Sequence, residues 1–198
     1  MFMRKILLAV LGVMLSQSIL SQPVHARTLE GIEIPEAVSA KDGTELKLQG
    51  AAVRSFYHVI DGYIGALYLE NKSTDVASIL ADNGYKRMTF TVLLSKMSAR
   101  KIGNAFYEAI QINTSPEEQK ELEKEIQQFV TMIDGTVTKG EGGSFEYIPG
   151  QGARVTVAGE VKGVIPGKKA FNVILKVWIG DTPPTQNFKD GVLGRKTT

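Results

Sequence analysis

The sequence predicts an α+β domain with strands early and late and helices between them. Three observations carry this. Two β-prone runs flank Asp61-Gly62, apolar residues recur at spacings of three and four between Ile102 and Ile133, and short alternating runs return after Gly135. Two helices that each carry an apolar stripe need a sheet, or a third layer, to bury both stripes.

Taken in order, residues 31–38 and 44–49 read as strands, the second alternating Leu46 and Leu48 with Glu45, Lys47 and Gln49. Residues 53–60 and 63–70 are β-rich, and the Asp61-Gly62 dipeptide between them signals a hairpin. A short helix is expected over 74–81 and a strand over 87–94, the latter rich in β-branched and aromatic residues. Ile102, Ala105, Phe106, Ala109 and Ile110 form the stripe of a first long helix. Ser115-Pro116-Glu117-Glu118 opens a second with a capping box, and Leu122, Ile126, Phe129, Val130 and Ile133 form its core face. Strands are expected over 144–148 and 154–157. The glycines of Pro149-Gly150-Gln151-Gly152 between them read as a tight turn, because a phosphate cradle would lead into a helix N-terminus and here a strand follows. Residues 169–180 are apolar and fit either helix or strand. Asp181-Thr182-Pro183-Pro184 stops them before a terminal helix over 185–193.

The N-terminus carries Arg4-Lys5, an apolar run from Ile6 to Leu15, and Val24-His25-Ala26. A basic region, a short apolar region and small residues before a cut site predict a secretory signal peptide over residues 1–26, removed after Ala26. Ser16-Gln17-Ser18 interrupts the run too early for a membrane-spanning anchor, so no stable anchor is expected once cleavage has occurred. Residues 27–198 then form a single domain in the periplasm, or a secreted one if the host lacks an outer membrane. Loss of Arg4 and Lys5 takes the basic count from 23 to 21, against 21 acidic residues. A neutral chain without a charge block argues against nucleic acid as a partner. There is no cysteine, which excludes disulfides, thiolate metal sites and a cysteine nucleophile. His58 is the one histidine left after cleavage, too few for a histidine-rich metal site, and its strand context favours a surface or core role over that of a catalytic base. No metal and no cofactor are expected.

An ordered set of short motifs spans nearly all of the expected mature chain: Gly50-Ala51-Ala52-Val53-Arg54, Gly65-Ala66-Leu67-Tyr68-Leu69, Tyr147-Ile148-Pro149-Gly150-Gln151-Gly152, Val177-Trp178-Ile179-Gly180-Asp181-Thr182-Pro183, and Leu193-Gly194. In this order and spacing they resemble the bacterial chalcone isomerase-like proteins, related to plant chalcone isomerase and to the plastid fatty-acid-binding proteins. The resemblance implies an open-faced β-sandwich, a large antiparallel sheet covered by a helical layer, with a ligand cleft between the two. It also implies that Arg54, at the position of the plant enzymes' arginine, binds a substrate oxyanion. The second glycine of that motif is here Ala52, and Tyr63 stands at the position aligned with the catalytic threonine. Asn104, in Ser98-Ala99-Arg100-Lys101-Ile102-Gly103-Asn104-Ala105, is offset by one residue from the family's asparagine. An arginine and a tyrosine over an apolar cleft are more similar to the fatty-acid-binding relatives, where those residue types hold a carboxylate head.

Arg54 suits this role chemically, since a guanidinium is cationic and offers a planar fork of donors to a carboxylate or phenolate. The candidate ligand-binding residues are thus Arg54 and Tyr63, and the candidate catalytic residues Arg54, Tyr63 and Asn104. Hairpin register decides whether the first two meet. With a two-residue turn at Asp61-Gly62 they share a face but lie about six residues apart, roughly 20 Å along the strand. A turn around His58 and Val59 would set them opposite each other. Three functions follow: an exported protein binding an apolar carboxylate or aromatic anion, an isomerase (intramolecular lyase) of the chalcone-to-flavanone type, and a non-catalytic envelope assembly partner. Asn104 or Tyr107 inside the cleft would favour the isomerase, and a filled core without a cavity the assembly partner. Trp178, the single tryptophan, is expected in the core.

Overall fold

The computed structural model describes residues 26–57 and 59–195; His58 and, apart from Ala26, the expected signal peptide lie outside the described residues. The described chain opens with a hairpin of β1 (Ala26–Leu29) and β2 (Ile32–Pro35). Its two turn residues, Glu30 and Gly31, take φ values of 48° and 75°. Two left-handed residues in a two-residue loop give the turn whose twist matches that of the strands. The strand expected over 31–38 is therefore two strands, β2 and β3 (Ala37–Ser39), with Gly31 in the preceding turn.

A single long strand, β4 (Glu45–Phe56), runs through both early β-prone segments and pairs with β5 (Ile60–Leu69). The turn does not fall at Asp61-Gly62. Tyr57 leaves the strand at φ 52°, and the Val59 N–H donates to the Phe56 carbonyl at 3.2 Å. Asp61 is already paired with Ser55 and accepts from its hydroxyl at 2.6 Å. Gly62 is the extra residue of a bulge between the Arg54–Tyr63 and Ser55–Asp61 pairs. A Cβ on Gly62 would stand 2.2 Å from Cε2 of Phe56, so the glycine admits the Phe56 ring rather than a reversal of the chain.

Next come α1 (Val76–Ala81), capped by Asp75, and β6 (Lys86–Val92). A two-stranded ribbon of β7 (Lys96–Ser98) and β8 (Thr136–Thr138) brackets α2 (Ala99–Asn113), α3 (Pro116–Glu121) and α4 (Glu123–Met132). The second expected helix is thus two, broken at Leu122 (φ −110°, ψ 17°). Its capping box is present: the Glu118 N–H donates to Ser115 Oγ at 3.2 Å and the Ser115 N–H to Glu118 Oε2 at 3.3 Å. β9 (Gly142–Ile148) and β10 (Gly152–Val157) flank the tight turn, and β11 (Glu160–Pro166) follows. The ambiguous apolar segment is a helix, α5 (Lys168–Ile179), before the terminal α6 (Gln186–Val192).

Seven strands make one antiparallel sheet in the order β11-β10-β9-β6-β5-β4-β3. Helices cover one face, where Met88, Phe145 and Val155 of the sheet meet Phe106, Phe129, Phe171 and Trp178. Eight of the twelve residues of α5 are buried, and Lys168, Lys169, Asn172 and Lys176 form the one polar face of an otherwise apolar helix. On the other face the β1–β2 hairpin joins a smaller cluster with Leu46, Leu48, Ile64 and Tyr68. Beyond it a polar row continues across the sheet, in which Arg87 and Arg154 donate to the two oxygens of Glu146 at 3.0 and 2.8 Å. The architecture is an open-faced sandwich of antiparallel sheet and helical layer.

Candidate functional site

A cleft of about 420 Å³ opens between β4, β5 and β6 on one side and α2 and α5 on the other. Its walls are largely apolar, with Phe90 and Val92 from β6, Ile102 and Phe106 from α2, and Val177 and Trp178 from α5. The polar side chains that reach it are Arg54, Tyr63 and Lys101. An apolar cavity with few convergent polar groups is the usual make-up of a small-molecule site.

The long β4–β5 hairpin brings Arg54 and Tyr63 together as direct cross-strand partners. Neighbours across an antiparallel pair have Cβ atoms about 5 Å apart, close enough to share one head group. The Arg54 guanidinium lies 5.2 Å above the Phe56 ring and donates to the Ser55 carbonyl. Among the described residues no carboxylate pairs with it. Tyr63 packs edge-on against Phe188 at 5.7 Å, and its hydroxyl accepts from the Trp178 indole N–H at 3.2 Å. Burial pushes the Tyr63 phenol up to about 12, against the smaller opposing effects of the Trp178 hydrogen bond and the Arg54 charge. The phenol therefore stays a neutral donor at physiological pH. No group of three or more His, Cys, Asp or Glu side chains among the described residues could hold a metal ion.

The order of motifs along the chain, the sheet-and-helix architecture and a cleft that opens on Arg54 point to one family. A family profile described as chalcone isomerase-like matches residues 26–194. The chain belongs to the chalcone isomerase-like family. A solved structure of a fatty-acid-binding protein from Arabidopsis thaliana is similar to it, with a TM-score of 0.68 and 16% sequence identity over 85% of this chain and 96% of that one. At that identity the likeness is one of fold. No curated protein matches the chain.

In this chalcone isomerase-like chain the Gly50-Ala51-Ala52 segment seats α6. A Cβ on Gly50 would stand 2.2 Å from the Gly191 carbonyl oxygen, and one on Gly191 would stand 2.7 Å from the Cβ of Ala52. Small residues there let the terminal helix lie directly on β4 and set Phe188 against Tyr63. Asn104 is exposed and turned away from the cleft. It lines a separate depression with Arg100, Gly103 and the end of α4, and Tyr107 is also on the surface. The side chains that α2 gives to the cleft are Lys101, Ile102, Ala105, Phe106 and Ala109. Lys101 is the functional candidate that sequence reasoning missed. Its signal was its place four residues before Ala105, at the edge of the apolar stripe. Trp178 is both core and cleft wall.

Proposed function

We propose that the protein is an exported binding protein that holds an apolar carboxylate or an aromatic anion between its sheet and its helices. The observation that carries this reading is Arg54, a cation without an acidic partner among the described residues, beside the Tyr63 hydroxyl in an apolar cleft. A guanidinium at an apolar cleft offers a planar fork of charged donors, and a ligand anion supplies the acidic partner that the described residues do not. The fatty acid named for the Arabidopsis thaliana protein of the same fold supports an apolar acid as the ligand class. The signal-peptide pattern of residues 1–26 supports export to the periplasm, or secretion where there is no outer membrane.

Chalcone-type isomerisation needs a second polar group to hold water near the reacting ketone. Asn104 and Tyr107 lie outside the cleft, and of the polar groups that remain beside Arg54, Tyr63 is already bonded to Trp178 and Lys101 sits at the exposed start of α2, an arrangement that favours binding over turnover. The open cleft likewise favours a ligand over a purely packing role in the envelope. Native mass spectrometry of the mature protein purified from its own envelope tests the reading. An adduct that denaturing extraction identifies as a fatty or aromatic acid is the expected result. Consistently bare protein that also fails to take up such acids when they are added would refute it.

A further inference from the structure

The hydrogen bond between Trp178 and Tyr63 has a direction that bears on what the cleft accepts. An indole N–H can only donate, so Tyr63 Oη must be the acceptor in this 3.2 Å contact. A phenolic hydrogen lies near the ring plane in one of two orientations. A donor arriving at the oxygen occupies one side and leaves the hydrogen the other. Among the described residues Tyr63 donates to no acceptor, although its side chain lines the cleft directly across from Arg54.

We infer that Trp178 is a positioning residue that locks the Tyr63 hydroxyl as a donor, so that the head-group subsite takes an ionised carboxylate in preference to a neutral alcohol of the same chain. This rests on the carboxylate-binding reading above. A carboxylate only accepts, and it can take the Tyr63 hydrogen and an Arg54 N–H together. An alcohol must also place its own hydrogen, and Trp178 already occupies one acceptor site of Tyr63. The lock is rigid because Trp178 is 1% exposed and is held edge-on by Phe106 at 5.2 Å and in a tilted contact by Phe145 at 5.4 Å.

The test is a double-mutant cycle read as a ratio of affinities for a long-chain fatty acid and the primary alcohol of equal length. Trp178→Phe should lower the acid-to-alcohol ratio roughly three- to tenfold, the range of one hydrogen bond. Tyr63→Phe should lower it comparably, and adding Trp178→Phe to Tyr63→Phe should change it no further. A packing defect at position 178 would weaken both ligands alike and leave the ratio where it was, which would overturn the inference. So would additive effects in the cycle. If wild-type protein bound neither ligand, both the function proposed above and this inference would fall.

Should Trp178→Phe not fold, the indole N–H resonance of the one tryptophan reads the same contact with the residue in place. Tyr63→Phe should move that resonance. In wild-type protein the acid should move it further downfield than the alcohol does, because a hydroxyl that donates becomes a better acceptor. Equal responses to the two ligands would overturn the inference.

Discussion

At the scale of single residues, the cleft holds two cations of different worth. Arg54 sits on a strand across from Tyr63 and over the Phe56 ring, whereas Lys101 is an exposed side chain at the start of α2. A flexible, hydrated ammonium at the rim attracts an anion without fixing its orientation. Lys101→Ala should weaken fatty-acid binding roughly two- to fivefold at low ionic strength, with the loss disappearing at about 0.5 M salt. Displacement of a fluorescent fatty acid at both salt concentrations measures this, and a loss that survives high salt would move Lys101 into the head-group site. Arg54 and Tyr63 are legible as candidates through the family resemblance, which the Gly50-Ala51-Ala52-Val53-Arg54 motif and the aligned place of Tyr63 carry, whereas composition and periodicity single out neither. The bond from Trp178 to Tyr63 joins residues 115 positions apart, and no local pattern reports such a contact.

At the scale of elements, the β4–β5 hairpin decides whether there is a site, and here the strongest turn dipeptide was misleading. Asp-Gly favours a two-residue reversal, but in this chain the Phe56 ring fills the space beside Gly62 and the reversal comes earlier. Side-chain packing across the pair outweighs the local turn preference and also sets the Arg54–Tyr63 register. Helix α5 fits either element for a different reason: Lys168, Lys169, Asn172 and Lys176 recur at helical spacing, while the β-branched Val173, Ile174, Val177 and Ile179 give the same segment strand character. β11 is hard to read in the sequence because the edge strand alternates weakly, with Val161 and Val164 facing out and Lys162 the extra residue of a bulge. The seat of α6 on β4 gives a sharp expectation. At Gly50 the groups in the way of a Cβ are the backbone of Gly191, Val192 and Gly194, which cannot rotate aside. Gly50→Ala should cost about 1–3 kcal/mol, seen as a lower urea midpoint. An unchanged midpoint would show that α6 can shift without loss.

At the scale of the whole molecule, buried titratable groups tie stability to pH. Lys86 is 1% exposed; its ammonium donates to the carbonyls of Asp82 at 2.6 Å and Gly84 at 3.1 Å and lies 4.7 Å over the Tyr147 ring. Burial pulls it down from 10.5 to about 8 despite the opposing charge of Asp82. Between these values the unfolded chain carries a proton that the folded chain has released, so this group makes stability rise with pH from about 8 to about 10.5. Burial pushes Tyr63 and Tyr68 up from 10.0 to about 12. There the folded chain keeps protons the unfolded chain has lost, so their contribution falls between about 10 and about 12. Urea midpoints across this range should rise and then fall, and Lys86→Met should flatten the rise. A rise that persists in the variant would assign it to another group.

In the proposed function Arg54 holds the anionic head of an apolar ligand. The most direct test is calorimetric titration of the protein with a long-chain fatty acid, comparing wild type, Arg54→Lys and Arg54→Ala. Losing a charged hydrogen bond in an apolar cleft should weaken binding by more than about tenfold in Arg54→Ala. Arg54→Lys, which keeps the charge but not the planar fork, should fall between the two. Equal affinities for wild type and Arg54→Ala would contradict the account and leave the cleft without its anchor.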